Sequence, residues 1–404
     1  MSALPSLFEL DPTMSAPVGP LGIVAMQGCE ELGAAINRWL LRWRGEAEAK
    51  DTALFTIPGF ERENFLVDVH CPRFSNGEGK GMIRETVRGY DIYILIDVGA
   101  YNCTYEMYGR QAMMSPDDHY QDLKRIIAAI GGKARRINVI MPMLYEGRQH
   151  RRTSRESLDC AMMLQELTSL GVSNIITFDA HDNRVQNAIP FSGFESVMPS
   201  YQIMKALLRT EKDLHIDRDH MMIISPDEGA LDRNIFYASV LGLDLGFFYK
   251  RRDYTRVVNG RNPIIKHEYL GDSVEGKDVF VSDDMISSGE SSLDLAREMK
   301  KRKANRVFIS ATFPYFTNGL DAFNQAYEEG IITKVISTNL TYRTPELRAA
   351  PWYAEADMSK FMAYIIATLN HDKSLSMLLN PYNRIKTLLD KYNREQAESG
   401  LRLI

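Results

Sequence analysis

Nine short apolar runs rich in β-branched and aromatic residues recur along the chain, each followed by a polar turn and then a longer segment with helical spacing. They are Leu21–Met26, Asp91–Val98, Arg136–Met141, Asn174–Phe178, Met221–Ile224, Leu243–Tyr249, Asp278–Val281, Arg306–Ala311 and Lys334–Ser337. Near-continuous apolar strands need cover on both faces, and right-handed crossover helices supply it. The pattern predicts α/β architecture with mostly parallel sheets covered by helices. At 404 residues and roughly 100–200 residues per domain, the chain holds two such units. No linker separates them; the boundary is placed in Phe191–Ser200, giving expected domains of 1–195 and 196–404.

Two helices are specific enough to test. One begins near Glu30, with Leu32, Ile36, Trp39, Leu40 and Trp43 on one buried face. Another starts at Thr153, where Thr153 and Glu156 form a capping box ahead of Leu158, Ala161 and Met162. Gly45–Ile57 reads as a polar surface insertion, and the charged segment after Asn380 as a helical appendage.

Lys and Arg total 48 against 53 Asp and Glu, a net charge of −5, which lacks the basic footprint of a nucleic-acid or anionic-membrane binder. Cys29, Cys71, Cys103 and Cys160 form no CxxC pair, so buried free thiols are expected rather than a zinc ribbon or redox couple. The amino terminus has no basic stretch before an apolar one, and no apolar run approaches a membrane span, so a soluble cytoplasmic protein is expected.

Ligands of open α/β sheets bind beyond the carboxyl ends of the strands. In this chain those positions carry charge: Asp179-Ala-His181-Asp182, Ser225-Pro-Asp227-Glu228-Gly229, Lys250-Arg251-Arg252-Asp253 and Ser282-Asp283-Asp284. The last continues into Ser287-Ser288-Gly289-Glu290-Ser291, a loop of small residues whose N–H groups and hydroxyls can close around phosphate at a helix amino terminus. Adjacent carboxylates there suit a ribose diol or a hydrated magnesium ion.

This segment resembles the phosphoribosyl-diphosphate loop shared by type I phosphoribosyltransferases and ribose-phosphate diphosphokinases. Arg73-Phe74-Ser75-Asn76-Gly77-Glu78, Arg88-Gly89-Tyr90-Asp91, Tyr145-Glu-Gly-Arg148-Gln149-His150-Arg151, Asp179-Ala-His181, Ser225-Pro-Asp227 and Lys250-Arg251-Arg252 follow the order and approximate spacing of the diphosphokinases. The resemblance implies two tandem phosphoribosyltransferase-like, Rossmann-like domains. It implies transfer of the β,γ-diphosphoryl group of ATP to O1 of ribose 5-phosphate, giving 5-phosphoribosyl 1-diphosphate and AMP. By the same resemblance, Lys250 and Arg252 lie on a mobile catalytic loop, and His181 and Asp227 are magnesium ligands with Asp179 as their supporting partner. Arg148, Gln149 and Arg151 would cradle the nucleotide phosphates, and Phe74, Asn76 and Glu78 would receive adenine. Asp283, Asp284, Ser287, Ser288, Gly289, Glu290 and Ser291 would bind ribose 5-phosphate. The family's adenine loop comes from a neighbouring subunit, which implies a homo-oligomer built from dimers, such as a hexamer.

The chain departs from the usual family pattern at several places. Ser287 stands where a third acid is usual, Glu290 where a glycine is usual, and Asn76 and His150 where aspartates are usual. Two other functions fit parts of the sequence: a catalytically weak homologue that modulates a true synthetase, and a phosphoribosyltransferase. Thr317-Asn318-Gly319 falls where a phosphate-binding turn is expected.

Overall fold

The computed structural model describes residues 16–48, 62–152, 154–252 and 264–401. From the amino end run β1 (Leu21–Ala25), α1 (Glu30–Glu48), β2 (Val69–His70), β3 (Met82–Ile83), β4 (Asp91–Leu95), β5 (Thr104–Met107), β6 (Arg110–Met113), α2 (Pro116–Ile130), β7 (Arg136–Ile140), α3 (Asp159–Ser169), β8 (Asn174–Phe178) and β9 (Gly193–Val197). There follow α4 (Ser200–Thr210), β10 (Met221–Ser225), α5 (Leu231–Leu241), β11 (Asp244–Arg252), β12 (Ile264–Leu270), β13 (Asp278–Ile286), α6 (Glu290–Lys301), β14 (Val307–Pro314) and α7 (Asp321–Glu328). The chain continues through β15 (Lys334–Thr338), α8 (Pro345–Ala349), β16 (Tyr353–Ala356), α9 (Ser359–Asn370), α10 (Ser376–Leu379) and α11 (Tyr382–Leu401).

Two compact units form. The first holds residues 1–198, 339–342 and 357–380, and the second holds 199–338, 343–356 and 381–404. The carboxyl-terminal half is thus not the unbroken 196–404 block read from sequence. The reason is α9, which is apolar almost all round and buried along nearly its whole length. A helix of that kind needs packing on every side. It lies on α1, where Tyr364 stacks on Trp43 at 4.3 Å.

The first unit is built on a wholly parallel sheet, β1-β4-β7-β8-β9. Its core joins Val24, Ile92, Ile94, Val139 and Ile175 to Leu123, Ile127, Met163 and Leu164 of α2 and α3. Helix α2 starts as its sequence dictates: Ser115 and Asp118 exchange capping bonds, Pro116 fills the first turn, and Gly131 closes the last in a left-handed conformation. Asp91, wholly buried, accepts two 2.8 Å bonds from Arg136 and further bonds from Asn138, Tyr93 and Asn370. That full satisfaction is what lets a charge sit inside.

The second unit has a seven-stranded sheet ordered β12-β11-β10-β13-β14-β15-β16, parallel except for the β11–β12 pair. After β10 the chain moves outward through β11 and β12, then returns to lay β13 on the other side of β10. This reversal is a topological switch point, the place where open sheets leave a crevice for ligands.

All nine expected runs are strands. Strands β9, β12 and β16 lie outside them, and β11, β13 and β14 run three to five residues past their carboxyl ends. Helix α1 buries Leu32, Ile36, Leu40 and Trp43 as expected, with Trp39 half-buried beneath Lys360. The expected capping box does not start α3: Glu156 is not helical, the helix begins at Asp159 after Leu158 with no side-chain cap, and Thr153 lies outside the described residues. The later start moves the buried stripe to Cys160, Met163, Leu164 and Leu167, leaving Met162 62% exposed. Residues 45–48 extend α1, and the rest of the expected insertion lies outside the described residues. The segment after Asn380 is a docked helix rather than an appendage: Ile385, Leu389 and Tyr392 of α11 enter the second core, and the Tyr392 hydroxyl bridges Leu214 N–H and Glu211 C=O. The four cysteines are free, three buried and Cys71 half-buried.

Candidate active site

Site residues fall into two sets, one in each unit. In the second unit they collect at the switch point. Strand β10 ends at Ser225, and Asp227 two residues later accepts the N–H groups of Gly229 and Ala230 at 3.0 and 3.1 Å, shaping the turn into α5. Strand β13 runs five residues further than the sequence suggests, so Asp283 and Asp284 belong to its carboxyl end rather than to a loop after it. Pairing with β14 continues through Ile286, which keeps both acids on a rigid element.

Pairing between β10 and β13 stops at Ile224–Val281. Beyond that point the side chain of Asn234, wholly buried on α5, takes the place of a neighbouring strand. Its amide donates to Ser282 C=O at 2.8 Å and accepts from Ser282 N–H at 3.2 Å, and it also reaches Ser225 Oγ at 3.4 Å. Asn234 therefore sets the spacing of the two acid-bearing strand ends as they part. Next to it, Arg233 faces Asp283 at 3.7 Å. Burial and the like charges of Asp284 and Asp227 push the Asp283 carboxyl up to about 7, while Arg233 pulls it down.

Ser287, Ser288 and Gly289 form the turn between β13 and α6. Gly289 has φ +83°, and a Cβ there would stand 2.3 Å from the ring of Phe323. Only glycine fits. Glu290 is the first residue of α6, is exposed, and accepts from Asn318 Nδ2 at 3.4 Å, so its carboxylate is engaged by the 317–319 turn. Ser291 follows inside the helix and is exposed. Lys250 and Arg252, expected on a loop, have strand backbone: Lys250 pairs with His267 and Arg252 with Ile264 across β11 and β12, with a register shift between residues 251 and 252.

In the first unit, Phe74–Glu78 is a tight turn closed by Phe74 N–H to Glu78 C=O at 2.7 Å. Phe74 is 55% exposed. Asn76 and Glu78 hold each other, Asn76 Nδ2 donating to Glu78 Oε2 at 2.8 Å and Glu78 N–H donating back to Asn76 Oδ1. The turn is braced from two sides. Arg73 makes a buried bidentate pair with Asp122 at 2.8 Å on both arms, and the β5–β6 hairpin donates Tyr108 N–H to Ser75 C=O at 2.8 Å and sets Met107 against Gly77.

Arg148, Gln149 and Arg151 follow β7, both arginines exposed and Gln149 anchored by its amide to Ser157 C=O at 2.9 Å. His181 follows β8 and is exposed, on a turn where buried Asp179 adopts φ +49° and donates its N–H to Val197 C=O. The rings of His150 and His181 lie 5.3 Å apart. Hydrogen bonds from Arg184 hold the Asp182 carboxyl down at about 2.

Sequence reasoning missed Arg233, Asn234, the Arg73–Asp122 brace and the hairpin. Asp232-Arg233-Asn234 reads as a solvated first turn of a helix, and only packing shows that it turns toward the sheet. Among the described residues no three metal-ligating side chains converge. No described helix is long and apolar enough to cross a membrane.

Two family models match the chain: the N-terminal domain of ribose phosphate pyrophosphokinase over residues 21–171 and the phosphoribosyl transferase domain over residues 195–319. A ribose-phosphate pyrophosphokinase of Shewanella oneidensis is 29% identical over 320 residues, covering 78% of this chain and 91% of that protein. Its counterpart in Vibrio cholerae is 29% identical with 78% and 92% covered. The crystal structure of phosphoribosylpyrophosphate synthetase from Mycobacterium smegmatis matches in fold with a TM-score of 0.65 at 21% identity, covering 86% of this chain and 98% of that one.

Proposed function

The chain belongs to the ribose-phosphate pyrophosphokinase family, and we propose that it transfers the β,γ-diphosphoryl group of ATP to O1 of ribose 5-phosphate, releasing AMP and 5-phosphoribosyl 1-diphosphate. One observation carries the sugar-phosphate half of this reading. The chain reversal between β10 and β13 gathers Asp227, Asp283 and Asp284 at one sheet edge, ahead of the Ser287–Gly289 turn and the amino end of α6. Phosphate meets N–H groups and a favourable helix dipole there, and the ribose hydroxyls meet carboxylates.

In the reaction O1 attacks the β-phosphorus as the bond to the α-phosphate oxygen breaks, and AMP departs with that electron pair. Such transfers depend mostly on positioning and charge neutralisation. Lys250 and Arg252 are assigned to the β-phosphoryl group, and Arg148, Gln149 and Arg151 to the nucleotide phosphates. Phe74 stacks on adenine, while Asn76 Oδ1, which already accepts one N–H, keeps acceptor capacity for the adenine amino group. Ser287 and Ser288 donate hydroxyls to the sugar phosphate beside Gly289, and Ser291 follows on α6.

The donor set suits magnesium. Burial, with the like charges of Asp284 and Asp227, raises Asp283 to about 7, a burden that a hard divalent cation relieves, and His181 and Asp227 are each assigned as magnesium ligands. When bound, magnesium neutralises phosphate oxygens and leaves the β-phosphorus more open to attack. We assign the protein to the cytoplasm, in keeping with four unpaired cysteines, and to a homo-oligomer in which the exposed Phe74 turn serves a neighbouring copy's site.

The test is to incubate the chain with ATP, ribose 5-phosphate and magnesium and identify products by phosphorus NMR. AMP and phosphoribosyl diphosphate should appear only with all three present. Lys250→Ala should lower turnover by about 10²–10³-fold. Absence of AMP from the assembled protein would sink the reading.

A further inference from the structure

Tyr108 sits at the tip of the β5–β6 hairpin, where its conformation and its exposure are both at odds with its residue type. Met107 pairs with Arg110, so Tyr108 and Gly109 make the whole turn, with φ of +50° and +69°. Positive φ at both positions is the mark of a type I′ hairpin turn, whose first position favours asparagine, aspartate or glycine. A tyrosine there crowds its own backbone. Among the described residues one other aromatic residue has positive φ, Phe316 at +46°, and its ring is buried against Phe323 and Trp352. Burial accounts for Phe316. Tyr108 is 76% exposed.

The bracing done by the hairpin does not account for Tyr108 either. That work falls to Tyr105, whose ring lies 4.9 Å from the Arg73 guanidinium, to Met107 against Gly77, and to the Tyr108 backbone N–H, which any residue but proline supplies. A bulky residue held in a strained conformation without burial points to a task outside the fold's own packing. The neighbourhood indicates which. The bond from Tyr108 N–H to Ser75 C=O is 2.8 Å long, which puts the Tyr108 Cα within about 10 Å of that of Phe74. Phe74, itself 55% exposed, carries the ring assigned to adenine. Two rings that hold a flat base between them stand about 7 Å apart, a gap that side chains rooted this close can span.

We propose that Tyr108 is a second base-binding residue, its ring covering the face of adenine opposite Phe74. A base stacked on one side only keeps water on its other face, and a second aromatic ring displaces that water. The inference rests on the adenine assignment of Phe74 and adds a second ring to it.

The probe is an unreactive, methylene-bridged ATP analogue, titrated with magnesium into the full-length protein by calorimetry, with inorganic tripolyphosphate as the ligand that lacks a base. Tyr108→Leu and Tyr108→Asn should weaken binding of the analogue about tenfold, and Tyr108→Phe should keep wild-type affinity. All three should bind tripolyphosphate as the wild type does. Because asparagine suits the turn, Tyr108→Asn should also melt above the wild type, which separates its weaker binding from any loss of fold. Analogue affinity unchanged in Tyr108→Leu and Tyr108→Asn, equal losses in Tyr108→Phe and Tyr108→Leu, or a matching loss of tripolyphosphate binding overturns the inference. Phe74→Leu distinguishes it from the reading beneath. If that variant weakens the analogue while Tyr108→Leu does not, this inference alone falls; if Phe74→Leu leaves the analogue unaffected, the adenine assignment falls with it.

Discussion

The two units hold their site residues in opposite ways. In the second, the acids ride on the last residues of strands, Asn234 replaces the missing ladder bonds, and Gly289 is wedged against a packed ring. In the first, Phe74, Arg148, Arg151 and His181 stand exposed on turns and loops, the Phe74 turn steadied from behind by the Arg73–Asp122 pair and the β5–β6 hairpin. The difference follows from topology. A sheet whose strands follow one another in chain order has no switch point, so its functional residues are set by its loops. A sheet that reverses opens a crevice in its own middle, where buried backbone must be satisfied. Charge placed in that crevice is crowded, and Asp283 shows it.

If the comparison is right, substitutions in the second unit cost stability and turnover together, whereas those in the first raise KM for the nucleotide. The largest effect belongs to Gly289→Ala. Phe323 cannot yield, being buried and packed on Phe316 and Trp352. A left-handed alanine overpacking that ring should cost about 3 kcal/mol in urea unfolding and abolish detectable ribose 5-phosphate turnover.

Asn234→Ala comes next. It strips the partner from the buried Ser282 N–H and should cost about 2 kcal/mol, with kcat falling more than KM for either substrate. A variant of unchanged kcat would show that the strand ends hold their spacing without it.

Gly77→Ala is milder. Its φ of +93° strains any side chain, but the atom it meets, Met107 Sδ at 2.6 Å, sits on a flexible chain. The expected cost is about 1 kcal/mol, read as a KM for ATP raised about fivefold at constant kcat. A fall in kcat instead would break the contrast between the units.

The smallest effect is a pH slope. The Asp283 carboxyl is raised to about 7 in the fold, against about 3.9 when unfolded. Both states hold the proton below about pH 4, and the folded state must surrender it as pH climbs through 7, so this residue draws stability out of the metal-free protein over that window. Asp283→Asn should match the wild type near pH 4 and unfold at a higher temperature near pH 8. Saturating divalent cation should close the gap.

How much could be read beforehand varies with burial. The seven central strands β4, β7, β8, β10, β13, β14 and β15, and with them the edge strand β1, announce themselves because they are apolar nearly throughout. So does β11, whose outer neighbour is β12. The edge strands β9 and β16 do not, since Gly193–Val197 and Tyr353–Ala356 are half-exposed and carry glutamate or serine. Helix α3 starts later than its Thr-x-x-Glu pattern predicts, because such a pattern caps a helix only where the following backbone turns helical. The site motifs were legible by residue type and order. Their supports were not: Arg233 and Asn234 look like a solvated helix start, and the hairpin that carries Met107 and Tyr108 looks like polar loop.

The order of apolar runs and the charged residues that end them settled by themselves the α/β class, the parallel sheets and the chemistry available, because burial period and residue type are local properties of the chain. Only the folded molecule decided that the acids sit within a strand, that Asn234 spans the opening between strands, that α9 crosses into the first unit, and that His150 is set beside His181. Those outcomes depend on which distant segments pack together, and no local window of sequence contains that information.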